Sequence, residues 1–249
     1  MVGKLLLRGM IAGVVAGVLT FGFAKVAGEP QVDQAIAFEA QMEHAHAHDH
    51  GDAAADEPEL VSRETQAGAG LFTGVVTYSA AFGGLFALVF AFVYGRSSKL
   101  QARPLAALLA LGAFVALAVV PSLKYPANPP SVGNPDTIGF RTAMFFIMIA
   151  ISLVTMVLSL KVRKALVAQW GQWNASIAAG LLFMVIIGVV QALLPTINEV
   201  PAAFPAVLLW KFRVAALGMQ AILWTTLGLL FGYLADHKLR EQHSLAVAH

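Results

Sequence analysis

Apolar and charged residues along this 249-residue chain fall into long blocks rather than alternating. Six runs contain no Asp, Glu, Lys or Arg: 9–24, 65–95, 104–123, 142–160, 165–198 and 214–235. A helix needs roughly 20 apolar residues to cross a hydrocarbon core of ~30 Å. The runs therefore predict six membrane-spanning helices, near 5–27, 68–94, 104–122, 141–161, 174–194 and 213–235. The first run is short, but Arg8 and Lys25 at its ends can snorkel toward the headgroups. Trp170, Gly171, Trp173 and Asn174 read as an interfacial step, which sets the start of the fifth span near residue 174. A transmembrane β-barrel requires alternating segments of about 10 residues, and no such alternation occurs. The expected fold class is an all-α polytopic membrane protein, one integral domain over 1–249 with a long outer loop at 28–66.

Composition supports that reading. The chain is 58% hydrophobic and 12% charged, outside the balance of soluble domains. Its charges also set an orientation. With the N-terminus inside, ten of the sixteen Lys and Arg residues face the cytoplasm. The short loops "GRSSKLQAR" and "KVRK" carry six of those ten, and short loops are where the positive-inside rule has most force. Asp236 and Glu241 would lie inside, while the other acidic residues, from Glu29 to Glu199, lie outside. An acidic outer face would concentrate cations, although acidic residues are in any case tolerated there. The opening "MVGKLLLRGMIAGVVAGVLTFGFAKVAG" has no clean A-x-A-like cleavage site, so it is expected to be retained as a span, with both ends cytoplasmic.

Glycines at four-residue spacing, Gly9, Gly13 and Gly17 in span one and Gly70 and Gly74 in span two, followed by Gly83-Gly84, predict close helix packing in lipid. Few polar groups interrupt the spans. They are Thr20, Thr73, Thr77, Tyr78, Ser79, Thr142, Ser152, Thr155, Ser159, Ser176, Gln191, Gln220, Thr225 and Thr226, of which the amides Gln191 and Gln220 stand out, with interhelical hydrogen bonding the favoured reading over substrate contact.

Three outer segments carry the candidate chemistry. The first begins "EPQVDQAIAFEAQMEH", rich in helix formers, and predicts a surface helix over 31–43 followed by a flexible acidic stretch. His44, His46, His48 and His50 follow at two-residue spacing. In an extended chain they would form one row. If the helix ran on, Glu39, Glu43, His46 and His50 would share a face. Either arrangement suits Zn, Cu, Ni, Co or Fe and would weaken below about pH 6.5 as imidazole protonates. A low-complexity tract with weak, unselective binding is the plainer alternative.

The second segment, "LKYPANPPSVGNPDTIGFRT", is too proline-rich for a helix and offers Lys124, Asn128, Asn134, Asp136 and Arg141. The third, "LLPTINEVPAAFPAVLLWKFR", offers Asn198, Glu199, Lys211 and Arg213 and is expected to dip back toward the membrane. Glu29, Asp33, Glu39, Asp136 and Glu199 are the candidate oxygen donors, with His44 to His50 as an accessory trap. The absences narrow the field. No histidine lies in a span, which excludes axial haem ligation by His within the bundle. The chain has no P-loop, no G-x-S-x-G, no H-E-x-x-H and no cysteine, and is not expected to be an enzyme or to hold a prosthetic group.

Together "AGEPQVDQAIAFE", "LKYPANPPSVGNPDTIGFRT" and "LLPTINEVPAAFPAVLLWKFRVAALGMQAILW" resemble the CbtA family of predicted cobalt transporter subunits, from "RGMIAGVVAG" to "WTTLGLLFGYLA". The resemblance implies Co²⁺ uptake, with Ni²⁺ or another divalent cation as variants, across a bacterial inner membrane and linked to cobalamin supply. It also implies a small single-span, His-containing partner of the CbtB type. The chain itself adds a bilayer, a possible homo-oligomer and no nucleic acid as expected partners. Two other classes remain open: a non-transporting scaffold or metal-sensing module, and a transporter of an organic solute such as cobalamin.

Overall fold

The computed structural model describes residues 2–50, 61–96, 100–130 and 132–237, with the side chains of 43–50 excepted. Among the described residues the chain is helical, without a strand. Five helical stretches are long and apolar enough to cross a membrane: α1 (Val2–Met42), α2 (Arg63–Val93), α3 (Ala102–Lys124), α4 (Pro135–Leu193) and α5 (Ala206–His237).

At 59 residues, α4 is far too long for one crossing. Its helix breaks at Gly171, where φ is 74° and ψ 170°, a conformation glycine adopts without a Cβ penalty. The two arms fold back on each other, because Met148 and Ile187 share one core and the Arg163 Nε–H donates to Ser176 Oγ at 2.8 Å. Five continuous stretches thus contain six helical arms. The basic "KVRK" segment lies in the first arm as helix, not as a loop, since nothing before Gly171 stops it.

The helix of α1 also runs past its apolar block, and its backbone stays helical to His50. The expected surface helix is therefore continuous with the first span. The start of α2 is set by Ser62, whose Oγ accepts from the Thr65 N–H at 3.3 Å. Pro135 opens α4, and the Asn134 side chain accepts from the Asp136 N–H at 3.0 Å. Wide π-helical turns interrupt α1 at Ala24–Gly28, α2 at Gln66–Gly70, α3 at Phe114–Val119 and α5 at Leu227–Phe231. Two of them meet, because Lys25 in the first donates to the Ala67 carbonyl in the second at 3.2 Å.

The chain divides into two compact units: Met1–Leu111 with Pro129–Ser131 and Phe204–His249, and Gly112–Asn128 with Val132–Ala203. In the first unit, α1 and α2 meet backbone to backbone. A Cβ at Gly9 would fall on the Gly83 carbonyl, and one at Gly13 on the Ser79 carbonyl. Small residues are what allow such an approach in lipid. An aromatic series, Phe82–Trp224, Phe86–Phe231 and Phe90–Phe231, joins α2 to α5 at centroid distances of 5.1–5.8 Å. At its far end Arg8 donates to the Leu234 carbonyl and Arg103 pairs with Asp236 at 3.0 Å.

The second unit packs through side chains. Val120, Tyr125, Met148 and Ile187 form its core, flanked by Val115, Met144, Phe145 and Phe183. Gln191, one of the two span amides singled out in the sequence, donates to the Val120 carbonyl at 3.1 Å. That is the interhelical bond expected of it.

Candidate functional site

Two polar clusters, one in each unit, gather candidate residues from the segments between the spans. In the first unit the guanidinium of Arg63 spans two carboxylates one helical turn apart. It pairs with Glu29 through Nη2, and it donates to Asp33 Oδ1 from Nη2 at 2.9 Å and from Nε at 3.1 Å. Four-residue spacing puts Glu29 and Asp33 on the same helix face. Glu29 is 9% exposed, and Arg63 is its ion-pair partner. Phe38, further along the same helix, meets Phe204 edge to face at 5.1 Å.

In the second unit Glu199 is the hub. Its Oε2 accepts from the Asn134 N–H at 2.7 Å and lies 3.3 Å from Arg141 Nε. Its Oε1 accepts from the Thr137 hydroxyl at 2.6 Å. Arg141 donates in turn to the Asn134 carbonyl at 3.1 Å. Gly133, at φ 120°, lies so close to the guanidinium that a Cβ there would overlap it. The Thr137 hydroxyl, the Asn134 amide and Arg141 together hold the Glu199 carboxyl below the usual carboxylate range, against the effect of partial burial. Beside the hub, Lys124 Nζ donates to Thr196 Oγ1 at 3.4 Å and Tyr125 donates to the Pro195 carbonyl at 3.0 Å. Burial raises the Tyr125 phenol above its ordinary value.

Of the residues singled out in the sequence, Asn134, Arg141 and Glu199 come together, and so do Glu29 and Asp33. Glu39, Asp136, Asn198 and Lys211 are exposed, while Asn128 and Arg213 are half-buried. Because α5 begins at Ala206, Lys211 and Arg213 lie inside its first turns rather than in the preceding loop. The side chains of Glu43, His44, His46, His48 and His50 lie outside the described residues, and the acidic stretch 51–60 lies outside them entirely. Among the described residues, no three His, Asp or Glu side chains are grouped to hold a metal ion.

Sequence reasoning missed Arg63 and Thr137. Arg63 had a signal, as the one basic residue in the acidic stretch between Glu29 and the second span. Thr137 had none, because a hydroxyl in "NPDT" gains its role only when Glu199 arrives from 62 residues away.

Long apolar helices joined by ordered polar segments define a multi-pass α-helical membrane protein. The chain belongs to the CbtA family: the family model, described as "probable cobalt transporter subunit (CbtA)", matches residues 2–236. Cobalt is thus the substrate that the family description names. No curated protein and no solved structure matches the chain.

Proposed function

We propose that the chain is the membrane-embedded subunit of an uptake system for Co²⁺ or a related divalent cation in a bacterial inner membrane, serving cobalamin supply. The family match over residues 2–236 carries this reading. In it, the six helical arms are six crossings with both ends in the cytoplasm, as the short basic segments favour. The helical extension of α1 bears Glu39, Glu43 and His44 to His50 as a capture arm. Its His46 and His50, four residues apart, suit one octahedral or tetrahedral metal edge.

The candidate entrance residues are Glu29, Asp33, Lys211 and Arg213 in the first unit and, separately, Lys124, Asn128, Asn134, Asp136, Arg141, Asn198 and Glu199 in the second. In each unit an arginine pairs with the clustered carboxylates, so their part is to order the polar segment that holds them, leaving exposed Glu39 in the first unit and Asp136 in the second to attract cations. A small single-span His-containing subunit, or a second copy, completes the assembly.

The test is Co²⁺ and Ni²⁺ accumulation by metal-starved cells expressing the chain. Deleting residues 44–51 is expected to reduce capture at low metal without abolishing transport. Unchanged accumulation in the double variant Asp136→Asn, Glu199→Gln would remove the entrance assignment.

A second reading, a non-transporting scaffold or sensor, draws on the same arginine pairing, since carboxylates already neutralised are poor cation ligands. Purified chain in metal-loaded vesicles, with and without the partner, separates the two. Absence of flux in both preparations favours the module, whereas growth on cobalamin without ion flux favours an organic solute.

A further inference from the structure

Both arms of α4 have the length of one crossing when counted toward the Gly171 elbow. At 1.5 Å per residue, Ile138 to Lys161 spans about 35 Å and Trp173 to Leu193 about 30 Å, each close to the ~30 Å of a hydrocarbon core. The residues from Lys161 to Trp173 therefore fall at the headgroup level of one bilayer face. Trp170 and Trp173 agree with that depth: they are 51% and 77% exposed, and an indole is at home where one end meets hydrocarbon and the other meets water.

Three basic residues share this level, Lys161, Arg163 and Lys164. Arg163 is held in place, because its Nε–H donates to Ser176 Oγ at 2.8 Å and that hydroxyl donates in turn to the Gln172 carbonyl at 2.7 Å. The bonds tie the two arms at the elbow and leave both Nη groups of the guanidinium without a partner among the described residues. Lys161 and Lys164 are exposed and, among the described residues, have neither an ion pair nor a hydrogen bond.

Nothing within the unit cancels these charges. Its acidic residues are Asp136 and Glu199, both at the opposite end of the arms, and no Asp or Glu lies between them in sequence. The first unit is built otherwise. There Arg8 donates to the Leu234 carbonyl and Arg103 pairs with Asp236, so both are answered from within the protein.

Lysines three residues apart lie side by side on a helix and repel each other. An anion between them removes that repulsion. At headgroup level the abundant anion is lipid phosphate, and a lysine stem can snorkel far enough to bring its ammonium group there. On the core side of the elbow Val157, Leu160, Ile177 and Leu181 are exposed and apolar, which suits acyl chains. A free phosphate ion would meet the charges but would leave that apolar wall unused.

We propose that the Lys161–Trp173 elbow of α4 is a binding site for an anionic phospholipid, with Lys161, Arg163 and Lys164 on its phosphate, the two indoles beside its glycerol and its acyl chains along the arms. A zwitterionic headgroup fits worse, because its own cation would meet three others. The inference concerns the lipid around the protein and holds whatever the chain carries.

The full-length protein in detergent is titrated with phosphatidylglycerol or with phosphatidylcholine of the same chains, and bound lipid is read by native mass spectrometry. The wild type is expected to favour the anionic lipid at least about tenfold, and Lys161→Gln with Lys164→Gln should cut that preference to about twofold or less. Lys161→Arg with Lys164→Arg should retain it, as should Lys4→Gln with Lys211→Gln, which removes two exposed lysines of the first unit.

Equal binding of the two lipids by the wild type overturns the proposal, and so does a preference that survives the Gln pair. Displacement of phosphatidylglycerol by millimolar inorganic phosphate also overturns it and assigns the charges to a free anion. A second measurement does not depend on the lysine variants folding. Phosphatidylglycerol brominated near the glycerol end of its chains should quench the protein's fluorescence saturably, and Trp170→Phe with Trp173→Phe should abolish the saturable part. Saturable quenching that persists in that variant places the lipid elsewhere.

Discussion

The two units are held together by different means. The first depends on backbone contact at glycines: Gly9, Gly13 and Gly83 leave no space for a side chain between α1 and α2, and Gly228 presses on Ala110. The second depends on side chains. Its hairpin glycines, Gly180 and Gly188, would meet nothing within 4 Å if a Cβ were added, and its order comes from the Met148–Ile187 core and the polar hub at Glu199. The difference teaches where each unit is vulnerable. A seam of backbones fails sterically and is indifferent to pH, whereas a hub of charges and amides fails chemically.

The largest expected effect breaks the steric side of this comparison. Gly13→Leu forces α1 from α2, and the amount of folded protein in the membrane, read by detergent gel filtration, should fall several-fold. Gly180→Leu should leave it unchanged, within about 0.5 kcal/mol in stability. Similar losses in both variants would erase the distinction between the units.

Next in size is Gly133→Ala, which combines a left-handed φ with overlap onto Arg141. A cost of about 1–3 kcal/mol is expected, measured as a lowered melting temperature. A large part of it should return when Arg141 is also shortened to Ala.

The chemical side is sharpened by pH. The folded Glu199 carboxyl titrates below its ordinary value of 4.5, so its contribution is complete above that value and is lost as pH falls through the lower, folded value. Melting temperature should therefore drop more steeply below about pH 4.5 in the wild type than in Glu199→Gln. Parallel curves would mean that the hub contributes nothing. The smallest effect belongs to Gln191→Leu, which removes the bond to the Val120 carbonyl. Interhelical bonds of this kind are worth about 0.6 kcal/mol, so a shift of only a few degrees is expected.

Local patterns carried much of the fold. Spans are read from hydropathy and from the spacing of charges, both of which act within one helix length. The glycines at residues 9, 13, 17 and 83 were legible as a seam for the same reason, because their spacing is that of one helix face. Helix continuity was less legible. The extension of α1 to His50 and the helical "KVRK" both cross a polarity boundary, and hydrogen bonds along a helix do not stop where polarity changes. The candidate residues were legible by type but not by use. Glu199 stood out as an acid in a proline-rich segment, and nothing near it in sequence announced Thr137 or Arg141.

By itself the sequence determined the class of this protein: an α-helical membrane chain with acidic connecting segments, glycine-packed helices and few polar groups in its spans. Tertiary structure decided what those polar groups do. It spent Glu29 and Asp33 on an arginine that is 34 and 30 residues away from them, and it tied Glu199 to an amide 65 residues away. It also folded α4 at Gly171, so that Met148 and Ile187 meet in one core. The physical reason is range. Hydropathy and helix periodicity act between near neighbours, whereas a charge or a hydroxyl is satisfied by whatever group the packing of distant helices brings within hydrogen-bond reach.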